Sequence, residues 1–273
     1  MSPTKRYGPL SKSIKALLPP VATNLLLRMG LAGNRFKYGY KSWTDAEADC
    51  SGYDSSSITQ ALLRSSRRVR DGDVAYERDG VEFDSIQYSW PLLAAVLGTQ
   101  MATRDLKVLD WGGSLGSTFR QNKHLLESAG IQLEWLVVEQ KHLVEIGTSE
   151  FTLGALSFSE SMAGIPIGQY DVVMLASSIC YIQDPERVLS EIAGLQPKRI
   201  VFDRTPESRS GIDQIGVQRV GKGIYKASYP IRSFAPDSLA KYLSPHYKLV
   251  FDWESDLQPD PKTISKGYCF DRI

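Results

Sequence analysis

The segment Asp110-Trp111-Gly112-Gly113-Ser114-Leu115-Gly116 is the part of this chain best suited to hold a ligand. An apolar run of strand length leads into an acidic residue, glycines follow, and helix-prone sequence begins at Ser117. Glycines in such a turn let the backbone approach a ligand closely and take positive φ. Their spacing separates the ligands that use turns of this kind. A dinucleotide loop needs glycines at i, i+2 and i+5. Counted from Gly112 the later positions are Ser114 and Ser117, and from Gly113 they are Leu115 and Thr118. A phosphate-binding loop needs Lys and then Ser or Thr after its last glycine, whereas Ser117-Thr118 follow Gly116. Neither fits. Asp110 would repel a phosphate and suits an ammonium group instead. Glu139 closes the next apolar run, and a carboxylate at the tip of a second strand can accept hydrogen bonds from both hydroxyls of a ribose.

The acidic-x-Gly-x-x-x-Gly pattern of Asp110–Gly116 resembles the cofactor loop of class I methyltransferases that use S-adenosylmethionine (SAM). Ser114 stands where the middle glycine is usual, a departure that narrows the loop. The resemblance implies that Asp110, Gly112, Gly113, Ser114 and Gly116 surround the methionine end of SAM, with Asp110 meeting the ammonium directly or through water. It places Glu139 and Gln140 at the ribose, Phe158 and Ser159 at the adenine, and Ser177 and Ser178 beside the methionine moiety. Tyr181 would reach the reacting centre. For the last groups a plainer reading stands beside this one: Ser177-Ser178 ending a strand, and Tyr181 and Phe158 packing.

The elements around these residues read as α/β. From Leu106 onward, the runs 106–111, 133–139, 170–177 and 198–204 are nearly continuous apolar strands, with a shorter one at 155–158. Helix-like segments alternate with them, as in a parallel sheet with crossover helices. Asp184-Pro185-Glu186 supplies an N-cap, a first-turn proline and an acidic first turn. The runs 247–254 and 266–273 form a terminal antiparallel hairpin. The expected fold is therefore a Rossmann-like, seven-stranded class I methyltransferase sheet, mostly parallel, plus an N-terminal mainly helical extension. Residues 1–100 form that extension, read as a cap over the site, with helices at 44–49 and 55–70 and a hairpin turning at Asp79-Gly80. Residues 101–273 form the SAM-binding domain. An inserted segment at about 205–245 lacks core-strand character and contains a hairpin of 214–220 and 224–231.

A wider likeness runs through 52–57 (GYDSSS), 76–80 (YERDG), 109–117 (LDWGGSLGS), 135–140 (WLVVEQ), 177–182 (SSICYI), 202–206 (FDRTP) and 224–230 (IYKASYP). Together these motifs resemble a family of bacterial methyltransferases, itself largely defined by sequence. Its members are often associated with surface-polysaccharide gene clusters. The likeness implies a SAM-dependent methyltransferase fold and does not establish the acceptor; the leading expectation is methylation of a small molecule or glycan at oxygen, the gene clusters alone suggesting the glycan. Two alternatives stay open: a non-methylating use of SAM by displacement or elimination, and a non-catalytic SAM-binding protein.

Ligands of open α/β sheets bind beyond the carboxyl ends of the strands. Asp203 and Arg204 are therefore expected to join Tyr181 as catalytic candidates. Arg204 is read either as a grip on an anionic acceptor or as a salt-bridge partner of Glu207 or Asp213. Glu77, Arg78, Tyr225 and Tyr229 are the acceptor-binding candidates. His142 is expected at the cofactor's edge, and His124 and His246 in structural roles.

Composition narrows the partners. The 32 Lys and Arg balance 31 Asp and Glu, so no global field favours nucleic acid. The group Arg64, Arg67, Arg68 and Arg70 lacks aromatic interleaving and reads as a solvated face. The three cysteines have no metal-ligand spacing, so no metal is expected. Their odd number suits a reducing compartment. The apolar stretch at 14–31 is interrupted by Pro19-Pro20, Asn24 and Arg28, which argues against a membrane span, although peripheral contact through residues 10–31 is compatible with it. A cytoplasmic protein is expected.

Overall fold

The computed structural model describes residues 34–52, 56–99, 104–221, 227–255 and 260–273. The apolar stretch at 10–31 and Tyr225 lie outside these residues. The chain forms two compact units: one of residues 1–85 and 215–231, the other of residues 86–214 and 232–273. The boundary thus falls before residue 86 rather than near 100, and part of the expected insertion belongs with the N-terminal unit.

The first unit contains β1 (Arg35–Tyr40), α1 (Trp43–Ala48), α2 (Ser56–Arg70), β2 (Tyr76–Arg78) and β3 (Val81–Phe83). Ser42 caps α1 by accepting from the Asp45 N–H, and α2 buries Ile58, Ala61 and Leu62 on one face. Asp79 and Gly80 both take positive φ in the β2–β3 turn, as a two-residue hairpin requires. Arg68 pairs with Glu82 and with Asp73, and Arg70 with Asp71, so acidic neighbours offset part of the arginine group. The later β9 (Gln214–Arg219) lies between β1 and β10 (Ser228–Ser233) in a three-stranded sheet. Strands β9 and β10 are neighbours where a hairpin of 214–220 and 224–231 was expected, with 222–226 outside the described residues; the pairing of β9 with β1 was not foreseen.

The second unit opens with α3 (Trp90–Leu97), followed by β4 (Asp105–Trp111), α4 (Ser117–Ser128), β5 (Gln132–Val138), α5 (Lys141–Glu150), β6 (Leu156–Ser159) and β7 (Val172–Ala176). Then come α6 (Pro185–Gly194), β8 (Arg199–Ser208), α7 (Ser238–Leu243), β11 (Tyr247–Glu254) and β12 (Thr263–Arg272). The sheet order is β11-β12-β8-β7-β4-β5-β6. Strands β6, β5, β4, β7 and β8 pair in parallel, and β12 runs antiparallel between β8 and β11. This is the seven-stranded arrangement expected from the sequence. Strand order reverses between β4 and β7, the point at whose carboxyl ends open α/β sheets bind their ligands.

Burial explains why these runs became the central strands. Val108, Leu109, Val172, Val173, Met174 and Leu175 have no exposed surface, and each such side chain contributes about 1.5–3 kcal/mol. Leu92, Leu93, Ala95 and Val96 of α3 pack into the same core, which assigns that helix to the second unit. Arg199 reinforces it, donating to the Ala95 carbonyl at 2.6 Å while clasping both oxygens of Asp271 at 2.6 and 2.9 Å. Strand β8 is longer than expected: residues 205–208, read from sequence as part of an insertion, pair with 263–266 of β12. No helix among the described residues is long and apolar enough to cross a membrane.

Candidate functional site

Residues at the carboxyl end of β4 shape a close-walled loop. The Gly112 N–H donates to the Val138 carbonyl at 2.9 Å, tying the loop to β5. Gly112 has φ +73°, and a Cβ there would lie 2.5 Å from Cβ of Ser178. A Cβ on Gly113 would lie 2.5 Å from the Asp110 carboxyl carbon. Glycine is thus required at both positions, at the first by conformation and contact and at the second by contact alone. Gly116 then starts α4 from the left-handed region.

Asp110 sits under this loop and is completely buried. One carboxylate oxygen accepts from the Trp135 indole N–H at 3.3 Å. The other, Oδ1, is buried with no hydrogen-bond partner. Burial pushes the Asp110 carboxyl up to about 7, opposed by the Trp135 hydrogen bond and the Arg204 charge and assisted by Glu139. Such an acid can switch near neutral pH. A buried oxygen with spare accepting capacity, beneath a cradle that a Cβ would fill, fits a cationic ligand group held against backbone.

Glu139 follows β5. Its two oxygens accept from the backbone N–H of Ser114 at 3.3 Å and of Gln140 at 2.6 Å. Burial raises its pKa, while those two N–H groups and the His142 charge pull the other way. Each oxygen keeps a second lone pair, so the carboxylate is aimed and can still accept from a pair of hydroxyls. Gln140 is exposed and caps α5. Phe158 lies against that helix: a Cβ on Gly147 would come within 2.6 Å of its ring, a packing role. The Ser159 hydroxyl donates to the Ser161 carbonyl at 2.8 Å.

At the end of β7, Ser177 takes φ +59°, and its N–H donates to the Asp203 carbonyl at 2.8 Å. The Ser178 hydroxyl donates to the Trp111 carbonyl at 2.8 Å. Ser178 therefore braces the glycine loop from behind, a role its sequence position did not reveal. Tyr181 ends the short helical turn that follows and is half-buried.

Strand β8 carries a bulge here. Phe202 faces Tyr268 and Thr205 faces Lys266, so Asp203 and Arg204 together oppose Gly267. Arg204 adopts φ +53°, the left-handed turn such a bulge uses to redirect side chains. Its guanidinium meets Asp203 Oδ2 at 2.8 Å, and the Trp253 indole donates to Asp203 Oδ1 at 3.3 Å. The salt bridges considered for Arg204 with Glu207 and Asp213 are not made. Glu207 accepts from Tyr268 at 2.6 Å, and Asp213 meets Arg232 at 3.5 Å and accepts from the Ala235 N–H at 2.7 Å. Trp135 and Trp253 were missed in sequence. Their signal was a tryptophan on a sheet strand, since a buried indole N–H needs an acceptor.

The acceptor candidates belong to the other unit. Glu77 is buried and engaged between α2 and its own turn, accepting from Ser66 of α2 and from the Gly80 N–H, each at 3.3 Å. Arg78 stacks over Phe83 at 5.3 Å. Tyr229 is buried, its hydroxyl accepting from Gln218 at 3.3 Å. These contacts give Glu77 and Tyr229 structural work that the sequence did not disclose.

No family model and no curated protein matches the chain. Among solved structures it is similar to a SAM-dependent methyltransferase from Methanosarcina mazei, with 12% identity and a TM-score of 0.50 over 68% of this chain and 98% of that one. It is also similar to the [4+2]-cyclase SpnF (15% identity, TM-score 0.46, 72% of each chain). A third is the glycopeptide N-methyltransferase MtfA in complex with SAM (11% identity, TM-score 0.45, 66% of this chain and 92% of that one). The first likeness shows a Rossmann-like fold of the kind found in SAM-dependent methyltransferases.

Proposed function

We propose that this protein binds SAM at the carboxyl ends of β4 and β5 and methylates a small-molecule or glycan acceptor, at oxygen. The unpartnered, fully buried Oδ1 of Asp110 beneath the glycine cradle carries this reading. In it, Asp110 receives the ammonium of the methionine moiety and Glu139 the ribose hydroxyls. Bound SAM supplies a methyl group made electrophilic by its sulfonium. The chain's own contribution is orientation and the exclusion of water, which supply much of the acceleration in transfers of this kind.

On the acceptor side we assign Tyr181 and Arg204, from the ends of β7 and β8, with Asp203 as the positioning residue that holds Arg204. Ser159 stays assigned to the adenine end and Ser177 to the methionine end, while Phe158 packs against α5. The glycan rests on the family likeness alone, and the oxygen acceptor is the hypothesis the turnover assay below tests.

Calorimetric titration with SAM and S-adenosylhomocysteine tests the first claim: both should bind, and failure of folded protein to bind either ends it. Turnover with candidate acceptors should release S-adenosylhomocysteine. Release of methylthioadenosine would show displacement chemistry instead of methyl transfer.

A further inference from the structure

Three strands line up at the carboxyl end of β8. Trp253 of β11 pairs with Gly267 of β12, and Gly267 in turn opposes the bulge residues Asp203 and Arg204 of β8. A side chain on the middle strand would separate the outer two, because a Cβ on Gly267 would run into the Trp253 indole. Gly267 is not in the left-handed region, so contact rather than conformation requires glycine here. With that space open, the indole crosses β12 and donates to Asp203 Oδ1 at 3.3 Å.

Asp203 passes that contact on through its backbone. Its carbonyl accepts from the Ser177 N–H at 2.8 Å. Ser177 and Arg204, on the two sides of that bond, hold φ of +59° and +53°. Side-chain-bearing residues are disfavoured there and stay only where their surroundings fix them. Ser178 comes next and braces the glycine loop, its hydroxyl donating to the Trp111 carbonyl at 2.8 Å and its Cβ closing the space beside Gly112. Hydrogen bonds and adjacent residues thus run unbroken from β11 to the end of β4. We propose that Trp253, admitted by Gly267, is a positioning residue for the ligand site: through Asp203 it fixes Ser177 and Arg204, and with them the brace behind the glycine loop. The identity of the ligand rests on the SAM reading above; the coupling does not.

Two variants break the same contact from different strands. Trp253→Phe keeps a ring over Gly267 and deletes the N–H, whereas Gly267→Ala keeps the indole and pushes it away from Asp203. Each should weaken S-adenosylhomocysteine about fivefold by calorimetry, the scale of one hydrogen bond. Combined, they should cost no more than about twofold beyond Gly267→Ala alone, because the contact is already lost. In Trp253→Phe, hydrogen exchange at the Ser177 amide should quicken about tenfold relative to the amides of Val108 and Val173, a local change that a general loss of packing would not produce. Fully additive losses overturn the proposal, as does unchanged affinity in Trp253→Phe or a Ser177 amide that keeps pace with the other two. If Gly267→Ala does not fold, the affinity and the Ser177 exchange of Trp253→Phe decide. A parent protein that does not bind S-adenosylhomocysteine fails earlier, at the SAM reading, and the Ser177 exchange then decides by itself whether Trp253 holds this turn.

Discussion

Two buried aspartates end neighbouring parts of the same sheet, and they are used differently. Asp203, on β8, has both oxygens engaged, one by the Trp253 indole and one by Arg204. Asp110, on β4, has one oxygen engaged by an indole and the other unengaged. Both sit where a Rossmann-like sheet meets its ligands, and both looked alike in sequence as acids closing apolar runs. The difference lies in unspent hydrogen-bonding capacity. A fully satisfied buried acid holds the fold, whereas a half-satisfied one keeps capacity that a ligand can use.

The largest effect should come from the satisfied member. Asp203→Ala removes the buried carboxylate that both Arg204 and the Trp253 indole meet, and denaturant unfolding should show a loss of about 3–5 kcal/mol. A variant of ordinary stability that has lost only SAM binding would reverse the roles of the two acids. Next, Gly112→Val forces a side chain into Ser178 at a positive φ. SAM affinity should fall about a hundredfold, close to 2.7 kcal/mol, and an undisturbed affinity would remove the loop from the site.

Asp110→Asn comes third, weakening SAM about tenfold at pH 8. Its pH signature is sharper than its size. Burial raises the Asp110 pKa from 3.8 to about 7, so folding favours its protonated form. The stability it contributes is fully present below about pH 4 and is lost as pH rises through 7. Ligand-free protein should therefore gain thermal stability from this group as pH falls from 8 towards 5, a slope the Asn variant should lack. Binding runs the other way. The carboxylate is the form that receives an ammonium, so SAM should bind about tenfold more weakly at pH 6 than at pH 8. A flat binding profile across that range would disconnect Asp110 from the ligand.

Trp135→Phe is the gentlest probe. It keeps an aromatic ring beside Phe119 but removes the N–H that favours the Asp110 carboxylate. Stability should drop by about 1 kcal/mol, and the midpoint of the binding profile should move to higher pH. A midpoint that stays in place would mean the indole does not tune Asp110.

Much of this was legible along the chain. The strands at 106–111, 133–139 and 170–177 announced themselves as unbroken apolar runs because both of their faces are buried. The loop was legible because positive φ and close backbone approach leave few residue types besides glycine at 112 and 113. The turn at Asp79-Gly80 was legible for a similar local reason. What stayed hidden involved partners far apart in sequence. Residues 35–40 pair with 215–219, and 205–208 pair with 263–266, although neither segment carries a strong apolar run. Glu77 looked available until Ser66 and its own turn were seen to hold it.

The sequence by itself determined the core strands, the glycine loop and the placing of Asp110 and Glu139 at strand ends, because these depend on local periodicity and on the steric limits of single residues. Only the tertiary structure decided which acid is spent and which is spare. Arg204 reaches Asp203 because a bulge opposite Gly267 turns the strand there, and Trp253 reaches Asp203 from 50 residues away because the hairpin register puts it there. Hydrogen-bond partners are assigned by register across strands, and register is a property of the whole sheet rather than of any segment within it.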